Sequence, residues 1–388
     1  MVRIAGRFER TLVGGEHLDA FVPQPLPPVA PPLKLDARTR TLLSEAEQRL
    51  KELDIAGEMV PSVDWFVYAF VRKEAVLSSQ IEGTQATLTD LLTAEAGAEP
   101  AAHDVQDVCN YVDALAYARK ELARPRGLPL SMRLLNQTHK RLMKGARGAA
   151  KQPGEIRRSQ NWIGGTRPGN ASFVPPPPEL VLDCMSSLEL FLHEDRPDLP
   201  VLIKAGLVHV QFETIHPFLD GNGRLGRLLI TFLLCAQNVI REPILYLSLY
   251  FKGHRTAYYD LLDRVRVKGD WEVWLEFFLT GVKETADQAA SAARRIVAMF
   301  EEDQRRIEGL GRPAASVLRV FQHMQRNPIV SIPATAQKIG ISAPTVAKSL
   351  EHMRHLGILR EITGRERHRL FVYEPYLAIL NEGTEPIR

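Results

Sequence analysis

The chain has 388 residues and a formal net charge of +3, with 45% hydrophobic and 24% charged residues. This composition is ordinary for a soluble globular protein of two or three domains, and the small charge alone argues neither for nor against nucleic acid as a partner. Three widely spaced cysteines fit neither a disulfide framework nor a Cys-x-x-Cys metal site, and no apolar run reaches the ~18 residues of a membrane span. The first residues lack the apolar core of a signal peptide, so we expect a cytoplasmic protein without a membrane partner.

The N-terminal third begins with a proline-rich stretch and then becomes helical. Residues 21–33 hold too many prolines for a helix or a central strand, so we predict an extended arm over the body of the protein. An exposed ligand for a proline-binding module is the alternative, but the large apolar residues between the prolines favour an ordered arm. Helical spacing follows from about 36 to 95, with a strongly buried helix that begins at Trp65 and stops near Gly83.

The middle of the chain alternates between helices and one irregular segment. Residues 104–145 predict two helices, whereas turn- and strand-forming residues between 154 and 178 predict a short hairpin. Further helices are expected at roughly 200–215 and 270–310. The predicted fold class is therefore mainly α with a β-hairpin.

The last 78 residues predict a different kind of domain. Two short helices around a turn at Gly340 precede strands at 357–362 and 369–373, which is the element order of a winged helix-turn-helix. This region holds ten Lys and Arg against four Asp and Glu between residues 312 and 375. Contacts to DNA would come from the second helix and the wing, through Thr345, Lys348, Ser349, His352, Arg365, Arg367, His368 and Arg369. Winged helices also dock proteins, so both partners stay open.

Residues 216–227 contain several candidate catalytic and ligand-binding residues close together, and they read His-Pro-Phe-Leu-Asp-Gly-Asn-Gly-Arg-Leu-Gly-Arg. His216 ends an apolar helix and can take a proton near neutral pH. Asp220 is a hard oxygen ligand of the kind that holds Mg²⁺ against substrate phosphates. His209 lies on the same helix but lacks further ligands at metal-site spacing, so we predict a core or supporting role for it.

The second half of this run is suited to phosphate. Gly221 and Gly223 let backbone N–H groups converge on an anion at the start of the next helix, and Asn222 adds a side-chain donor. Arg224 and Arg227 follow on one helix face, where forked contacts to phosphate oxygens can form. Each feature alone is also common in caps, turns and surface pairs. Their strict joint spacing predicts a phosphoryl or nucleotidyl transfer site.

This run resembles the Fic family signature, His-x-Phe-x-Asp/Glu-Gly-Asn-Gly-Arg-x-x-Arg, and every fixed position is filled. Residues 154–165 resemble the segment that precedes the flap of the family. Phe173, Val174 and Pro175 resemble its β-hairpin flap, which clamps the target segment over the nucleotide. The resemblance thus implies a helical Fic core with an N-terminal extension and a C-terminal winged helix.

The resemblance implies a protein AMP transferase, which moves AMP from ATP to a Ser, Thr or Tyr hydroxyl of a protein, itself included, and releases pyrophosphate. His216 would be the base, Asp220 would carry Mg²⁺, and Arg224 and Arg227 would hold the β- and γ-phosphates. Phe218 would point inward and anchor the loop, and one of two paired tyrosines would border the adenine. The other expected ATP contacts are Pro217, Phe218, Leu219, Gly221, Asn222, Gly223 and Tyr259.

A second, shorter pattern predicts autoinhibition. Residues 78–83 match the inhibitory pattern Ser/Thr-x-x-x-Glu-Gly/Asn of the family through Ser78, Glu82 and Gly83. A carboxylate in the last turn of a helix is disfavoured by the helix dipole, so Glu82 should seek a cation elsewhere. The resemblance implies Arg227 as that cation. An arginine held by Glu82 cannot receive the γ-phosphate, and ATP would then bind unproductively.

Other functions and the domain boundaries complete the predictions. The alternatives are a Fic enzyme that removes AMP or transfers another phosphate-containing group, and a nucleotide-sensing DNA-binding regulator. A homodimer is one option for the oligomeric state, and the sequence names neither the target protein nor the signal that releases Glu82. The expected segments are an arm and helical region at 1–103, a catalytic core at 104–285, a linker helix at 286–311 and a winged helix at 312–388.

Overall fold

The structure is a computed structural model that describes residues 3–59, 63–97, 103–145, 150–365 and 368–387. These residues form mainly helices, which confirms the predicted fold class. Compact packing groups the chain into two units. Unit 1 comprises residues 1–51, 110–241 and 250–285, and unit 2 comprises residues 52–109, 242–249 and 286–388. The predicted domain boundaries at residues 103, 285 and 311 stay a prediction. Each unit combines three separate segments of the chain, so the two units do not test these boundaries.

The helices and strands have the following bounds. The helices are α1 Ala37–Met59, α2 Val63–Ile81, α3 Leu88–Glu95, α4 His103–Ala123, α5 Met132–Leu142, α6 Pro178–His193, α7 Val201–Ile215, α8 Asn222–Ala236, α9 Ser248–Gly253, α10 Arg255–Lys268, α11 Trp271–Glu308, α12 Ala314–Arg326, α13 Ile332–Ile339, α14 Ala343–His355 and α15 Glu374–Asn381. The strands are β1 Gly6–Val13, β2 Glu16–Pro23, β3 Ile329–Ser331, β4 Arg360–Glu361 and β5 Leu370–Val372. The helices predicted near 104–145, 200–215 and 270–310 are confirmed.

Unit 1 opens with an antiparallel hairpin that the sequence analysis missed. Strands β1 and β2 turn at Gly14 and Gly15, which both have positive φ, as a two-residue hairpin turn requires. Phe8 and Phe21 face each other in this register, with ring centroids 5.4 Å apart. Because β2 extends to Pro23, the proline-rich arm begins at residue 24 and not at residue 21 as predicted.

The proline-rich arm is ordered, as predicted. Arg3 donates to the carbonyl oxygens of Pro31 and Pro32 at 2.7 and 3.0 Å and pairs with Glu272 at 2.7 Å. Gln211 in α7 donates its Nε2 to the carbonyl oxygen of Gln24 at 2.9 Å. Since prolines have no N–H, carbonyl oxygens supply most of these contacts, and the N–H of Gln24 adds a bond to the carbonyl oxygen of Ala5 at 2.9 Å.

Helix α7 forms the core of unit 1. Every residue from Leu202 to Ile215 is buried, and α7 packs along α8. A helix that is buried on every face, here with its few polar side chains included, belongs in the middle of a fold, where neighbours cover each face. Packing therefore fixes the end of α7 and the start of α8. These two helix ends flank residues 216–221, the loop of the predicted active site.

Unit 2 contains a C-terminal module, residues 312–373, built in the order α12, β3, α13, α14, β4, β5. Its sheet has the strand order β3-β5-β4 and is antiparallel. The turn at Gly340, with φ of +65°, and the two strands that end the module agree with the sequence analysis. Strand β3 and helix α12 were not predicted, and the two predicted strands are shorter than expected.

One residue of the helix predicted to contact DNA is buried, so the prediction for it was wrong. Ser349 is 1% exposed, because it shares the buried stripe of α14 with Val346, Leu350 and Met353. Lys348 is exposed, as a phosphate contact requires. In the wing, Arg365 and His368 are exposed, whereas Arg367 lies outside the described residues.

Within unit 2, the C-terminal module and α15 pack on α2. Trp65 contacts Phe300 and Tyr376 edge to face, with ring centroids 5.1 and 6.3 Å apart. Near the other end of α2, Gln80 donates its Nε2 to the carbonyl oxygen of Thr384 at 2.9 Å. Both ends of α2 are thus fixed to the C-terminal third of the chain.

The three cysteines, Cys109, Cys184 and Cys235, are free thiols. None of the helices described above combines the length and the apolar character needed to cross a lipid bilayer.

Candidate active site

His216 follows directly on the last turn of α7. Its backbone N–H donates to the carbonyl oxygen of Phe212 at 2.9 Å, and its φ and ψ of 50° and 61° are left-handed. A non-glycine residue with positive φ is uncommon and is often found at functional sites. Pro217 follows, so the chain cannot continue as helix. The half-buried imidazole therefore lies at a sharp bend between two buried helices.

The loop after His216 is held by short-range hydrogen bonds. Asn222 accepts the N–H of Phe218 at its Oδ1, at 2.9 Å, and donates its Nδ2 to the carbonyl oxygen of the same residue at 2.8 Å. Asp220 accepts the N–H of Gly221 at 2.6 Å. Phe218 is 1% exposed, which matches the prediction that it anchors the loop. Its burial and these bonds stabilise the loop in this conformation.

His139 of α5 supports this loop and was not predicted. Its ring stacks on Phe218 with centroids 3.8 Å apart. Its Nδ1 accepts the N–H of Gly154 at 2.8 Å, so its Nε2 carries the proton and donates to the carbonyl oxygen of Asp220 at 2.8 Å. Burial lowers the pKa of His139 to about 4. His139 is therefore neutral at neutral pH and orients the loop.

The start of α8 is open to an anion. Gly221 precedes the helix with a φ of +80°, which strains residues with a side chain, and a Cβ there would also lie 2.6 Å from the sulfur of Met143. Among the described residues, no acceptor faces the backbone N–H groups of Asn222, Gly223 and Arg224. Unpaired N–H groups at a helix start, reinforced by the helix dipole, attract phosphate.

Two buried guanidinium groups lie on the first turns of α8. Arg224 and Arg227 are 8% and 2% exposed. Arg224 places its Nη2 3.4 Å from the sulfur of Met143, and its buried Nε has no acceptor in the described part of the chain. A buried cation is costly unless an anion pairs with it. For Arg224, this cost favours a negatively charged ligand at the start of α8.

Arg157 holds the start of the loop, at His216 and Pro217. The sequence analysis did not single it out. It is 1% exposed and donates to the carbonyl oxygens of His216 at 2.9 Å and Pro176 at 2.5 Å. Its backbone N–H donates to the carbonyl oxygen of Pro217 at 2.9 Å. One side chain thus joins the bend at His216 to the segment that follows the flap.

We predict that Arg157→Ala lowers the free energy of unfolding by about 2–4 kcal/mol, because it leaves buried carbonyl oxygens without donors and opens a cavity. The neighbouring Arg158 is the matched control. Its side chain is 84% exposed and, among the described residues, pairs with Glu155 at 3.4 Å, so Arg158→Ala should change stability by less than about 0.5 kcal/mol. Urea unfolding of both variants measures the difference. Equal free energies of unfolding for the two variants would contradict a stabilising role of Arg157.

The residues predicted to form the flap contact β2. Phe173 forms a single antiparallel bridge with Ile163, so the predicted hairpin is a narrow one. Phe21 of β2 donates its N–H to the carbonyl oxygen of Val174 at 2.9 Å. Gln160 donates to the carbonyl oxygen of Pro175 at 2.8 Å. The first of these bonds joins this segment to the N-terminal hairpin, and its role as a flap stays a prediction.

The paired tyrosines have different environments. Tyr258 is 1% exposed and its hydroxyl lies 2.9 Å from Nε2 of His209. His209 is fully buried, and burial lowers its pKa to about 3, which agrees with its predicted core role. Tyr259 is 39% exposed. Of the pair, only Tyr259 is open to a ligand, and its contact with adenine stays a prediction.

The predicted inhibitory residues belong to unit 2. Helix α2 ends at Ile81, and Gly83, with φ of +94°, stops it as predicted. Ser78 is fully buried, whereas Glu82 is exposed and donates its backbone N–H to the carbonyl oxygen of Ser79 at 3.1 Å. The pairing of Glu82 with Arg227 stays a prediction.

Comparison with known proteins decides the family. Residues 40–120 match the Fic/DOC family N-terminal region, and residues 129–234, which include the whole motif, match the Fic/DOC family. The chain belongs to the Fic family. As a Fic protein, it carries the family signature at the bend between α7 and α8.

Relatives of this Fic protein include named adenylyltransferases. It is 35% identical over 135 residues to the protein adenylyltransferase Fic of Aedes aegypti, a match that covers 34% of this chain and 24% of the mosquito protein. It is 33% identical over 87 residues to a probable protein adenylyltransferase of Aquifex aeolicus, which covers 22% of this chain and 27% of that protein. The chain thus spans only about a quarter of the length of these relatives.

Solved structures share the fold. A Fic family protein from Desulfovibrio desulfuricans G20 superposes with a TM-score of 0.57 at 20% identity, over 88% of this chain and 98% of that one. Fic-1 from C. elegans gives a TM-score of 0.52 at 19% identity, over 67% of this chain and 74% of that one. At these identities the likeness concerns the fold alone.

Proposed function

We propose that this Fic protein is a protein AMP transferase, which moves AMP from ATP to a Ser, Thr or Tyr hydroxyl of a protein, itself included. The observation that supports this most is the combination at the start of α8: unpaired N–H groups, a buried Arg224, and His216 at the preceding bend. The adenylyltransferase names of relatives that share part of the sequence add support.

In the proposed reaction, His216 takes the proton of the target hydroxyl. The hydroxyl oxygen then bonds to the α-phosphorus, the bond from this phosphorus to the α,β-bridging oxygen breaks, and pyrophosphate leaves. The N–H groups of Asn222 and Gly223 stabilise the charge on the α-phosphate, since donors fixed in advance need not reorganise. Arg224 and Arg227 hold the β- and γ-phosphates.

Asp220 is suited to hold Mg²⁺. In the described part of the chain, no three His, Cys, Asp or Glu side chains gather as a metal site. Mg²⁺ needs no such cage, because it commonly binds through one or two carboxylates together with substrate phosphates. When bound, the ion neutralises phosphate charge. The protein provides one carboxylate, whose Oδ1 is fixed by the N–H of Gly221.

The flap and Tyr259 would position the substrates. Val174 accepts a hydrogen bond from β2, and in this proposal a target segment would lie along Phe173, Val174 and Pro175 as an extended chain that leads to His216. Arg266 supports this placement, since its guanidinium lies 3.9 Å from the centroid of the Phe173 ring and its Nε donates to Thr214 at 3.2 Å. Tyr259 would border the adenine.

Glu82 would restrain the reaction. In this proposal Glu82 pairs with Arg227 and keeps the guanidinium from the γ-phosphate, so that ATP binds in an unproductive pose. The matched pattern of Ser78, Glu82 and Gly83 supports it. A left-handed glycine that stops α2 directly after Glu82 also supports it, because the carboxylate then lies at a defined helix end.

The position of a radioactive label tests the reaction type. The Glu82→Gly variant is incubated with Mg²⁺ and ATP labelled at either the α- or the γ-phosphate. We expect the protein to retain only the α-label, because the γ-phosphate leaves with pyrophosphate. Retention of the γ-label would indicate phosphate transfer. Release of α-label from protein modified beforehand, without any new incorporation, would indicate AMP removal.

A further inference from the structure

The outer edge of strand β1 is an uncovered part of unit 1. In the part of the chain that the structure describes, β2 is the only helix or strand that packs along β1. Free edges of natural sheets are usually blunted by short strands, bulges, prolines or charges, because an open edge is a template for a further strand. Strand β1 has eight residues, an unbroken register and no proline, and its charged residues carry both signs. Its edge is therefore open to a partner strand.

The backbone of β1 presents hydrogen-bonding groups at this edge. Phe21 lies opposite Phe8 but donates its N–H to Val174, on the other side of β2. Phe8 and Phe21 are therefore a non-hydrogen-bonded pair, and the N–H and C=O of Phe8 point away from β2. Because this direction alternates along a strand, the other outward-facing residues are Gly6, Arg10 and Leu12. Over the described ranges, no hydrogen bond joins these outward groups to another residue.

Large apolar side chains are exposed along the same strand. Ile4, Phe8 and Leu12 are 71%, 63% and 60% exposed. They are spaced four residues apart, and side chains an even number of residues apart lie on one face of an extended chain. The chain is already paired just before β1, since Gln24 donates its N–H to the carbonyl oxygen of Ala5 at 2.9 Å. Three such side chains in one row form a surface that a partner would cover.

The sequence of β1 is complementary to itself in one antiparallel register. When two copies pair about Phe8, each Phe8 lies opposite the other. Ile4 then lies opposite Leu12 of the second copy, and Arg7 lies opposite Glu9. Apolar pairs and opposite charges directly across two strands are stabilising. This register also pairs outward-facing residues with one another, as the hydrogen bonds of an antiparallel ladder require.

Neighbouring registers lack this complementarity. Moving the centre of the pairing by one residue puts Arg7 opposite Arg7 or Glu9 opposite Glu9, and like charges directly opposite are destabilising. Within one chain Arg7 already donates to Glu9 at 2.9 Å, so both charges are paired at the surface. A second copy would give each of them a further neighbour of opposite charge. The charges thus select the register, and the apolar row supplies the buried area.

We propose that two copies of this chain form a homodimer through antiparallel pairing of their β1 strands about Phe8. The two hairpins then make one four-stranded sheet with the order β2-β1-β1-β2. Each β2 is bonded to Val174 on its other side, so the segments predicted to form flaps would lie at the two outer edges of this sheet. Residues 4–12 of each copy make a small interface, for which we expect a reversible dimer with a dissociation constant on the order of 10 µM. The dimer does not depend on the proposed AMP transfer, because the pairing uses none of residues 216–227.

Sedimentation equilibrium of the full chain at roughly 1–200 µM tests the dimer, since this range spans the affinities of small interfaces. We expect a monomer–dimer equilibrium for the wild type. Arg7→Glu and Glu9→Arg each put like charges opposite one another at two symmetry-related places, so each should raise the dissociation constant roughly tenfold or more. Arg133→Glu makes the same charge change at an exposed arginine of α5 in unit 1 and should leave the constant unchanged.

Recombining the two charge changes tests the register itself. Chains with Arg7→Glu, mixed with chains with Glu9→Arg, should form heterodimers, because opposite charges then face each other at both places. The double variant Arg7→Glu/Glu9→Arg should dimerise like the wild type for the same reason. The melting temperatures of these variants should stay near that of the wild type, because the side chains of Arg7 and Glu9 are 58% and 43% exposed.

A wild type that stays monomeric up to the highest concentration would overturn the proposal and leave the edge to a strand of another protein. A dimer that neither single variant weakens would also overturn it, because the contact would then lie elsewhere. If the double variant dimerises as poorly as the single variants, the strands do not pair about Phe8. An equal loss with Arg133→Glu would point to a general effect of charge and would contradict the proposal as well.

Discussion

Replacing His216 by alanine should lower the rate of AMP transfer by a factor of about 10²–10⁴, which is the usual contribution of a positioned acid or base. The remaining loop should keep its conformation, because Asn222, Phe218 and His139 hold it without the imidazole of His216. Binding of ATP should therefore change little. Incorporation of α-label and ATP affinity, measured on the same preparation, separate the two effects.

His193→Ala is the matched control for this loss. His193 is an exposed histidine at the end of α6, in the same unit as His216. Its substitution should leave the labelling rate within the error of the wild type. If His216→Ala labels as fast as the wild type, another group must take the proton. His139 could not replace it, since both of its ring nitrogens are engaged and burial lowers its pKa to about 4.

Replacing Glu82 by glycine should raise self-labelling by roughly 10- to 100-fold, the effect of removing a charge-assisted hydrogen bond that competes with the γ-phosphate. The residue lies at the end of α2, between Ile81 and the left-handed Gly83, so a glycine there costs the helix little. Incorporation of α-label over time, at equal protein and ATP concentrations, measures the increase.

The charge of Glu82 should be the cause, so Glu82→Gln should raise labelling in the same direction. Glu302→Gln removes another exposed carboxylate from the same unit and should have no effect. Arg227→Ala should cancel the gain in the Glu82→Gly background, because the released arginine would no longer be present. Unchanged labelling of both Glu82 variants would refute autoinhibition by Glu82, even if His216 proves to be the base.

The largest part of the predicted site, residues 216–227, is contiguous in the chain. His216, the loop after it and the two arginines form one bend and one helix start, so their mutual distances follow from local geometry alone. Gly83 is similar, since a glycine after an apolar helix predicts a left-handed stop. Local chemistry of this kind is visible without tertiary structure.

The supporting residues depend on tertiary contacts and escaped prediction. Arg157 and His139 reach the loop from positions about 60 and 80 residues earlier, and no local pattern distinguishes them from surface arginines or core histidines. The β1–β2 hairpin was missed although Gly14 and Gly15 are a turn signal, because charged residues obscure the apolar alternation of β1. Ser349 was misassigned since a serine on a buried stripe looks polar in sequence.

The central claim is that the loop at His216 transfers AMP and that Glu82 restrains it. Intact-mass spectrometry after incubation with ATP and Mg²⁺ tests both halves, on the wild type, Glu82→Gly, and the double variant Glu82→Gly/His216→Ala. We expect a gain of one or more AMP masses that is small in the wild type, large in Glu82→Gly and absent in the double variant. A gain of phosphate mass, no gain in Glu82→Gly, or an equal gain in the double variant would contradict the account.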